Sequence, residues 1–215
     1  LSIIFLLLRA QIVRIVLGTG AFDWTATINT ADALAFFSLG LFAQALLPLI
    51  IRAYYALEDT KTPFFISLVA VVVNIFLSLW LTKWRYQMGA PGLALAFTIS
   101  GILNFALLWV FLRFKTSNLD EGRIITAVLK FSIAGIFMGI VIQLSKNFIA
   151  PYVDMQKFWG IFTQGIVAGL LGSLTYIIIG LILKCHEMKV FVETIKNKLV
   201  RVKNLPEDIS GISEV

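Results

Sequence analysis

The chain has 215 residues, of which 59% are hydrophobic and only 14% charged, with a formal net charge of +6. A soluble domain carries about 25% charged residues, and no single core of this size would hide so much apolar surface, so an ordinary soluble fold is excluded and the bilayer is the natural solvent. Nucleic acid is a poor partner for the basic excess: six of the 18 Lys and Arg lie between Lys184 and Lys203, directly after the last apolar run, where they suit an anionic membrane surface.

The first apolar run, Leu1 to Leu17, is broken by Arg9 and Arg14. Leu1 to Leu8 is far short of the roughly 20 residues a spanning helix needs, and no basic segment precedes it, so a signal peptide is a poor fit. We read Leu1 as a cut end inside or just before a helix of a larger protein. Five complete spans follow: Ala33 to Leu57, opened by Asn29, Thr30 and Asp32 as capping and first-turn residues; Pro63 to Trp84; Gly92 to Phe114; Ile124 to Ser145; and Phe158 to Leu183. With the partial first segment this predicts an all-α, polytopic membrane bundle of about six elements. Trp80, Trp84, Tyr86, Tyr152, Phe158 and Trp159 fall near span ends, as an interfacial aromatic belt requires. Beyond the last span, Met188, Phe191, Val192, Ile195, Leu199 and Val202 recur at helical spacing with lysines off that stripe, which predicts a basic amphipathic helix over 185–203, on the membrane or in solvent. Residues 204–215 read as a disordered tail.

Orientation rests on the basic residues. Arg52, Lys61, Arg113, Lys115, Arg123 and Lys130 share the side of the tail, and Arg9, Arg14, Lys83, Arg85, Lys146 and Lys157 lie opposite. The tail breaks that tie and predicts a cytoplasmic C-terminus.

No Asp or Glu is expected within the body of a complete span, so a proton relay would have to lie elsewhere. Ser67, Asn74 and Ser78 share a face of the second span, and Ala94, Thr98, Gly101 and Asn104 form a small and polar stripe on the third. These stripes predict either an ion or polar cavity at Asn74, Ser78, Thr98 and Asn104, or helix packing through hydrogen-bonding residues. Pro48 frees the carbonyl of Gln44 and predicts a bend in the first span. Gly135–Gly139 and Gly165–Gly169 are GxxxG pairs on the last two spans, a seam for close helix packing or for an apolar chain. Enzyme signatures are absent: there is no P-loop, HExxH or GxSxG, the Gly18–Asp23 run lacks the final glycine and preceding strand of a dinucleotide loop, and one Cys (Cys185) and one His (His186) cannot make a metal site. No cofactor is implied.

One stretch is sharply polar between apolar runs: RAYYALEDTKTP, residues 52 to 63. Asp59 and Thr60 are suited to hydrogen-bond a tight turn, and Pro63 to open a helix. The stretch resembles the FYAL-x-DT-x-TP cytoplasmic loop of the MurJ/MviN-type lipid II flippases, in the multidrug/oligosaccharidyl-lipid/polysaccharide exporter superfamily. Ile12-Val13-Arg14, Gly20-Ala21-Phe22 and Gly92-Leu93-Ala94-Leu95-Ala96 extend the resemblance over roughly residues 8 to 100. It implies the C-terminal part of a fourteen-helix transporter: residues 1–114 as the end of helix nine through helix twelve of the second lobe, and 115–184 as the terminal helix pair.

The resemblance further implies a bacterial inner-membrane protein that moves an undecaprenyl-linked peptidoglycan precursor by alternating access. Arg52, Tyr55, Asp59, Thr60, Lys61 and Pro63 would form the cytoplasmic hinge, and the terminal pair a groove for the lipid tail lined by Gly135, Gly139, Gly165 and Gly169. Membrane lipids would be further partners, and a monovalent cation another at Asn74, Ser78, the Leu93 carbonyl and the Phe97 position, although Ser78 stands where the family places an acid. An exporter of O-antigen or other polyprenyl-linked sugars is the nearest alternative; a membrane-embedded transferase or a scaffold is more remote.

Overall fold

A computed structural model describes residues 1–17, 24–84, 88–116, 121–153 and 158–183. The Gly18–Asp23 run, Arg85, Tyr86, Lys157, Cys185, His186, the 185–203 helix and the 204–215 tail lie outside the described residues. The helices are α1 (Ser2–Leu7), α2 (Arg9–Leu17), α3 (Trp24–Ala56), α4 (Lys61–Leu79), α5 (Ala90–Lys115), α6 (Glu121–Ile149) and α7 (Phe158–Ile182). A π-helical turn, Trp80–Trp84, extends α4, and a 3-10 turn, Ala150–Tyr152, follows α6. The five helices α3 to α7 are long and apolar enough to cross a membrane. Large apolar side chains stand exposed on them, among them Phe64, Val72, Phe76, Leu144 and Leu170. In lipid these faces need no cover.

The helices pack in two groups. α5 lies between α3 and α4, and α6 runs along α7. The short α1 and α2 touch both groups, α1 against α3 and α6, and α2 against α3 and α7. The joint between α1 and α2 is at Leu8 (φ −99°, ψ 12°), so the first segment is a broken helix rather than one continuous piece.

The first complete span begins at Trp24, well before the expected Ala33. Asn29, Thr30 and Asp32 therefore sit inside α3 instead of capping it. Asn29 is exposed, and the polarity of Thr30 and Asp32 did not stop the helix because each has a partner within it or beside it. The Thr30 hydroxyl donates to the Ala26 carbonyl, and Asp32 pairs with Arg9 of α2 at 3.0 Å. Asp32 falls in the first quarter of the candidate span Thr25–Ala56, whose 32 residues exceed the roughly 20 that cross the hydrocarbon.

α3 ends in a reversal built without glycine. The Glu58 N–H donates to the Tyr55 carbonyl and the Asp59 N–H to the Tyr54 carbonyl, both at 3.0 Å, which is the paired closure of a Schellman turn. That turn requires a left-handed residue, and Glu58 supplies it at φ +56°. Side chains with a Cβ pay for this conformation. Glu58→Gly is expected to stabilise the protein by about 0.5–1 kcal/mol, less than the full relief because glycine also loosens the unfolded chain. A higher midpoint of thermal unfolding in detergent is the check. At the opposite end of the bundle, Gly89 enters α5 at φ +60°, ψ −132°, where glycine is the natural occupant.

Candidate functional site: the hinge turn and the intramembrane polar contacts

The turn after α3 is held from three directions. Asp59 Oδ1 accepts the backbone N–H groups of Lys61 and Thr62, both at 3.1 Å, so its side chain caps the first turn of α4. Its Oδ2 accepts the Thr62 hydroxyl at 2.6 Å and the Lys115 ammonium at 2.7 Å. Lys115 is the last residue of α5, so one carboxylate joins the ends of three helices. The Lys115 hydrogen bond, followed by those of Thr62, holds the Asp59 carboxyl well below the usual carboxylate range. A carboxyl with a lowered folded-state pKa contributes fully above its unfolded value of about 3.9 and loses that contribution as pH falls through the lower folded value. Acidification from pH 7 to pH 5 should therefore leave this turn closed.

Of the other hinge residues, Thr60 precedes α4 without a side-chain capping bond, and Pro63 is buried in its first turn, where a missing N–H is harmless. Arg52, Tyr55 and Lys61 are exposed. The anchor is the neighbour, Tyr54, which is fully buried and donates its hydroxyl to the Leu108 carbonyl at 2.9 Å. It packs in a cluster with Ile50, Ile66, Leu108 and Leu112 directly beneath the turn. Sequence reasoning singled out neither Tyr54 nor Lys115 as a site residue. Tyr54 and Tyr55 are adjacent, and only knowledge of which face of α3 meets α5 separates them. Asp59→Asn is expected to lower thermal stability less than Asp59→Leu, because asparagine keeps one acceptor for the α4 N–H groups while losing the charge that meets Lys115.

The candidate polar residues of the second and third spans divide between two interfaces. Asn74 Nδ2 donates to Ser100 Oγ at 3.0 Å, and Asn104 Nδ2 reaches Ser67 Oγ at 3.5 Å, so these four meet between α4 and α5. Thr98 turns the other way and donates to the Phe36 carbonyl of α3 at 2.7 Å. Six residues separate Thr98 from Asn104, which places them about 120° apart around a helix of 3.6 residues per turn. Gly101 also faces α3, against Gln44. Ser78 is half-buried, and its carbonyl accepts the Thr82 hydroxyl. Among the described residues no group of three or more His, Cys, Asp or Glu is placed to hold a metal ion.

The GxxxG glycines of α6 and α7 face α1 and α2. A Cβ at Gly139 would lie 3.5 Å from Leu7, at Gly169 3.5 Å from Leu8, and at Gly165 3.6 Å from Gln11 and Ile15, while Gly135 approaches the tip of Ile3. The α7 glycine that meets α6 is Gly172, where an added Cβ would overlap the Ile142 side chain. Two apolar grooves adjoin Gly135, Gly165 and Gly169, and Gly139 lines neither. One, of about 360 Å³, runs between α1–α2 and α7 past Gly165 and Gly169. The other, of about 1030 Å³, lies among α1, α3, α6 and α7 and includes Gly135.

Five helices long and apolar enough to span, a broken helix between their two groups and a capped reversal at one end describe a polytopic, all-α membrane protein. The chain belongs to the lipid II flippase MurJ family, a family of transporters, whose profile matches residues 1–163. It is 32% identical over 206 residues to a probable lipid II flippase MurJ of Thermotoga maritima, covering 96% of this chain and 36% of that one. The lipid II flippase MurJ of Thermosipho africanus is 29% identical over 171 residues, covering 80% of this chain and 31% of its own. Among solved structures, a lipid II flippase MurJ in an inward closed conformation is similar at a TM-score of 0.66 and 29% identity, covering 84% of this chain and 34% of that one. The chain thus spans about a third of the length of these relatives.

Proposed function

We propose that the protein carrying this chain is a bacterial inner-membrane flippase that moves lipid II across the bilayer by alternating access, with the Leu57–Thr60 turn and the C-terminus on the cytoplasmic side. The observation that carries the reading is the family match over residues 1–163. The hinge geometry supports it: a carboxylate that joins the ends of α3, α4 and α5 keeps those helices in fixed relation while two lobes rock. Residues 1–114 then belong to the second lobe, 115–184 to the terminal pair, and 185–203 to a basic helix on the membrane surface.

In this reading the undecaprenyl tail lies along the apolar grooves beside Gly135, Gly165 and Gly169, where it desolvates little polar surface, and Gly139 holds α1 against α6 next to them. Gly165→Leu, which fills the smaller groove, is expected to reduce export several-fold while the protein stays inserted. A monovalent cation at Asn74, Ser78, the Leu93 carbonyl and the Phe97 position belongs to the same proposal; replacing the small monovalent cations of the medium with a bulky organic cation should then slow export.

The topology is tested by side-specific labelling of single cysteines at Glu58 and Val153 in a full-length protein carrying Cys185→Ser. Labelling from opposite faces, with Glu58 cytoplasmic, is the expected outcome; labelling from the same face would remove the proposed orientation.

A further inference from the structure

The break at Leu8 is closed by residues far away in sequence. Across the joint, the Leu8 N–H still reaches the Ile4 carbonyl at 2.9 Å and the Ile12 N–H the Leu8 carbonyl at 2.8 Å. The Leu7 carbonyl between them accepts the Lys146 ammonium of α6 instead, at 2.8 Å. In lipid an interrupted helix is tolerated only where its freed carbonyls find protein partners, and an intramembrane ammonium only where it is paired. Here each need answers the other.

A second contact runs beside the first. Gln164 of α7 is 2% exposed and donates Nε2 to the Lys146 main-chain carbonyl at 3.0 Å. A carbonyl can only accept, so this bond fixes the Gln164 amide and turns its Oε1 outward. Gln11 of α2, 7% exposed, must then donate, and its Nε2 meets that Oε1 at 3.1 Å. The chain of amides is directional and leaves Gln11 Oε1 as the one buried acceptor at its end without a partner. On the far side of α2, Arg9 reaches Asp32 of α3 at 3.0 Å. One belt of polar contacts therefore crosses from α3 through α2 to α6 and α7, alongside the apolar packing of Leu8 on Met138, Ile142 and Ala168.

We propose that Lys146, Gln164 and Gln11 are positioning residues that fasten the terminal helix pair to the broken helix and, through Arg9 and Asp32, to the second lobe, so that the pair moves with that lobe as one body. This rests on the reading of the chain as part of a two-lobe transporter. Lys146 is the dominant member because its removal orphans the Leu7 carbonyl. Gln11 is the lesser one, since it already leaves an acceptor unpaired.

The test uses the full-length protein in nanodiscs, with spin labels at Ile28 on α3 and Trp159 on α7, and a control pair within the lobe at Phe64 on α4 and Phe114 on α5. Pulsed EPR should give one narrow distance distribution for each pair. Lys146→Met should broaden the Ile28–Trp159 distribution about twofold or split it, leaving the control unchanged, and Lys146→Arg should restore it. If Lys146→Met does not insert, Gln11→Leu with Gln164→Leu is read by the same measure and should broaden the first pair alone. An unchanged first pair, or equal broadening of both, would overturn the proposal. These distances are read without any transport assay, so an absence of lipid II export would count against the proposed function and not against the fastening.

Discussion

Replacing Tyr54 by alanine is expected to destabilise the protein by about 2–4 kcal/mol, the larger part from the cavity left among Ile50, Ile66, Leu108 and Leu112. In a bilayer the transfer contribution is small, because lipid tails are as apolar as the core, but lost packing contacts are not recovered by an unfilled space. Tyr54→Phe should cost only about 1 kcal/mol, since it removes the hydroxyl bond to Leu108 and leaves a carbonyl already engaged in its own helix. The difference between the two isolates the cavity. Tyr55→Ala, one residue along and 57% exposed, should be close to neutral. Denaturant titration in mixed micelles would rank the three, and a Tyr55 effect equal to that of Tyr54 would contradict the packing described here.

A comparable loss is expected at Gly172. Its added Cβ would run into Ile142, which is fully buried and has nowhere to retreat, with Met138 3.4 Å away. Gly172→Ala should cost about 1–3 kcal/mol and Gly172→Leu more, by forcing α6 and α7 apart. Gly139→Ala and Gly169→Ala meet their nearest atoms at 3.5 Å, an ordinary contact, and should be tolerated. Shortening the opposing side chain supplies the control: Ile142→Ala should recover most of the Gly172→Ala loss, a coupling that a double-mutant cycle measures directly.

The two glycine sets show where sequence reading stops. GxxxG marks Gly165 and Gly169, but Gly172, seven residues after Gly165, lies on the same helical face and makes the tight contact with α6. Spacing places residues on a face; it does not say which helix that face meets. The same gap separates Thr98 from Asn104, which one stripe on paper sends to two different neighbours. The five spans were legible because apolar runs of membrane length have few other uses. The start of α3 was misplaced because Thr30 and Asp32 read as caps, and only the Arg9 pairing across 23 residues shows how Asp32 fits inside the helix. Asp59 was legible from its own turn, whereas its partner Lys115 comes from 56 residues away and required the fold. The joint at Leu8 left no local mark, since Lys146, the partner of the Leu7 carbonyl, lies 139 residues from Leu7 and looks like any lysine near a span end.

The proposed function requires the full-length protein to deliver lipid II to the outer face of the inner membrane. The most direct measurement depletes the host's own flippase, expresses the full-length protein, and asks whether an externally added enzyme that cleaves lipid II can reach its substrate in intact cells. Expression of the protein should restore cleavage, and Gly165→Leu at equal membrane abundance should lower it several-fold. Lipid II that stays protected from the external enzyme, with the wild-type protein correctly inserted, would contradict the account.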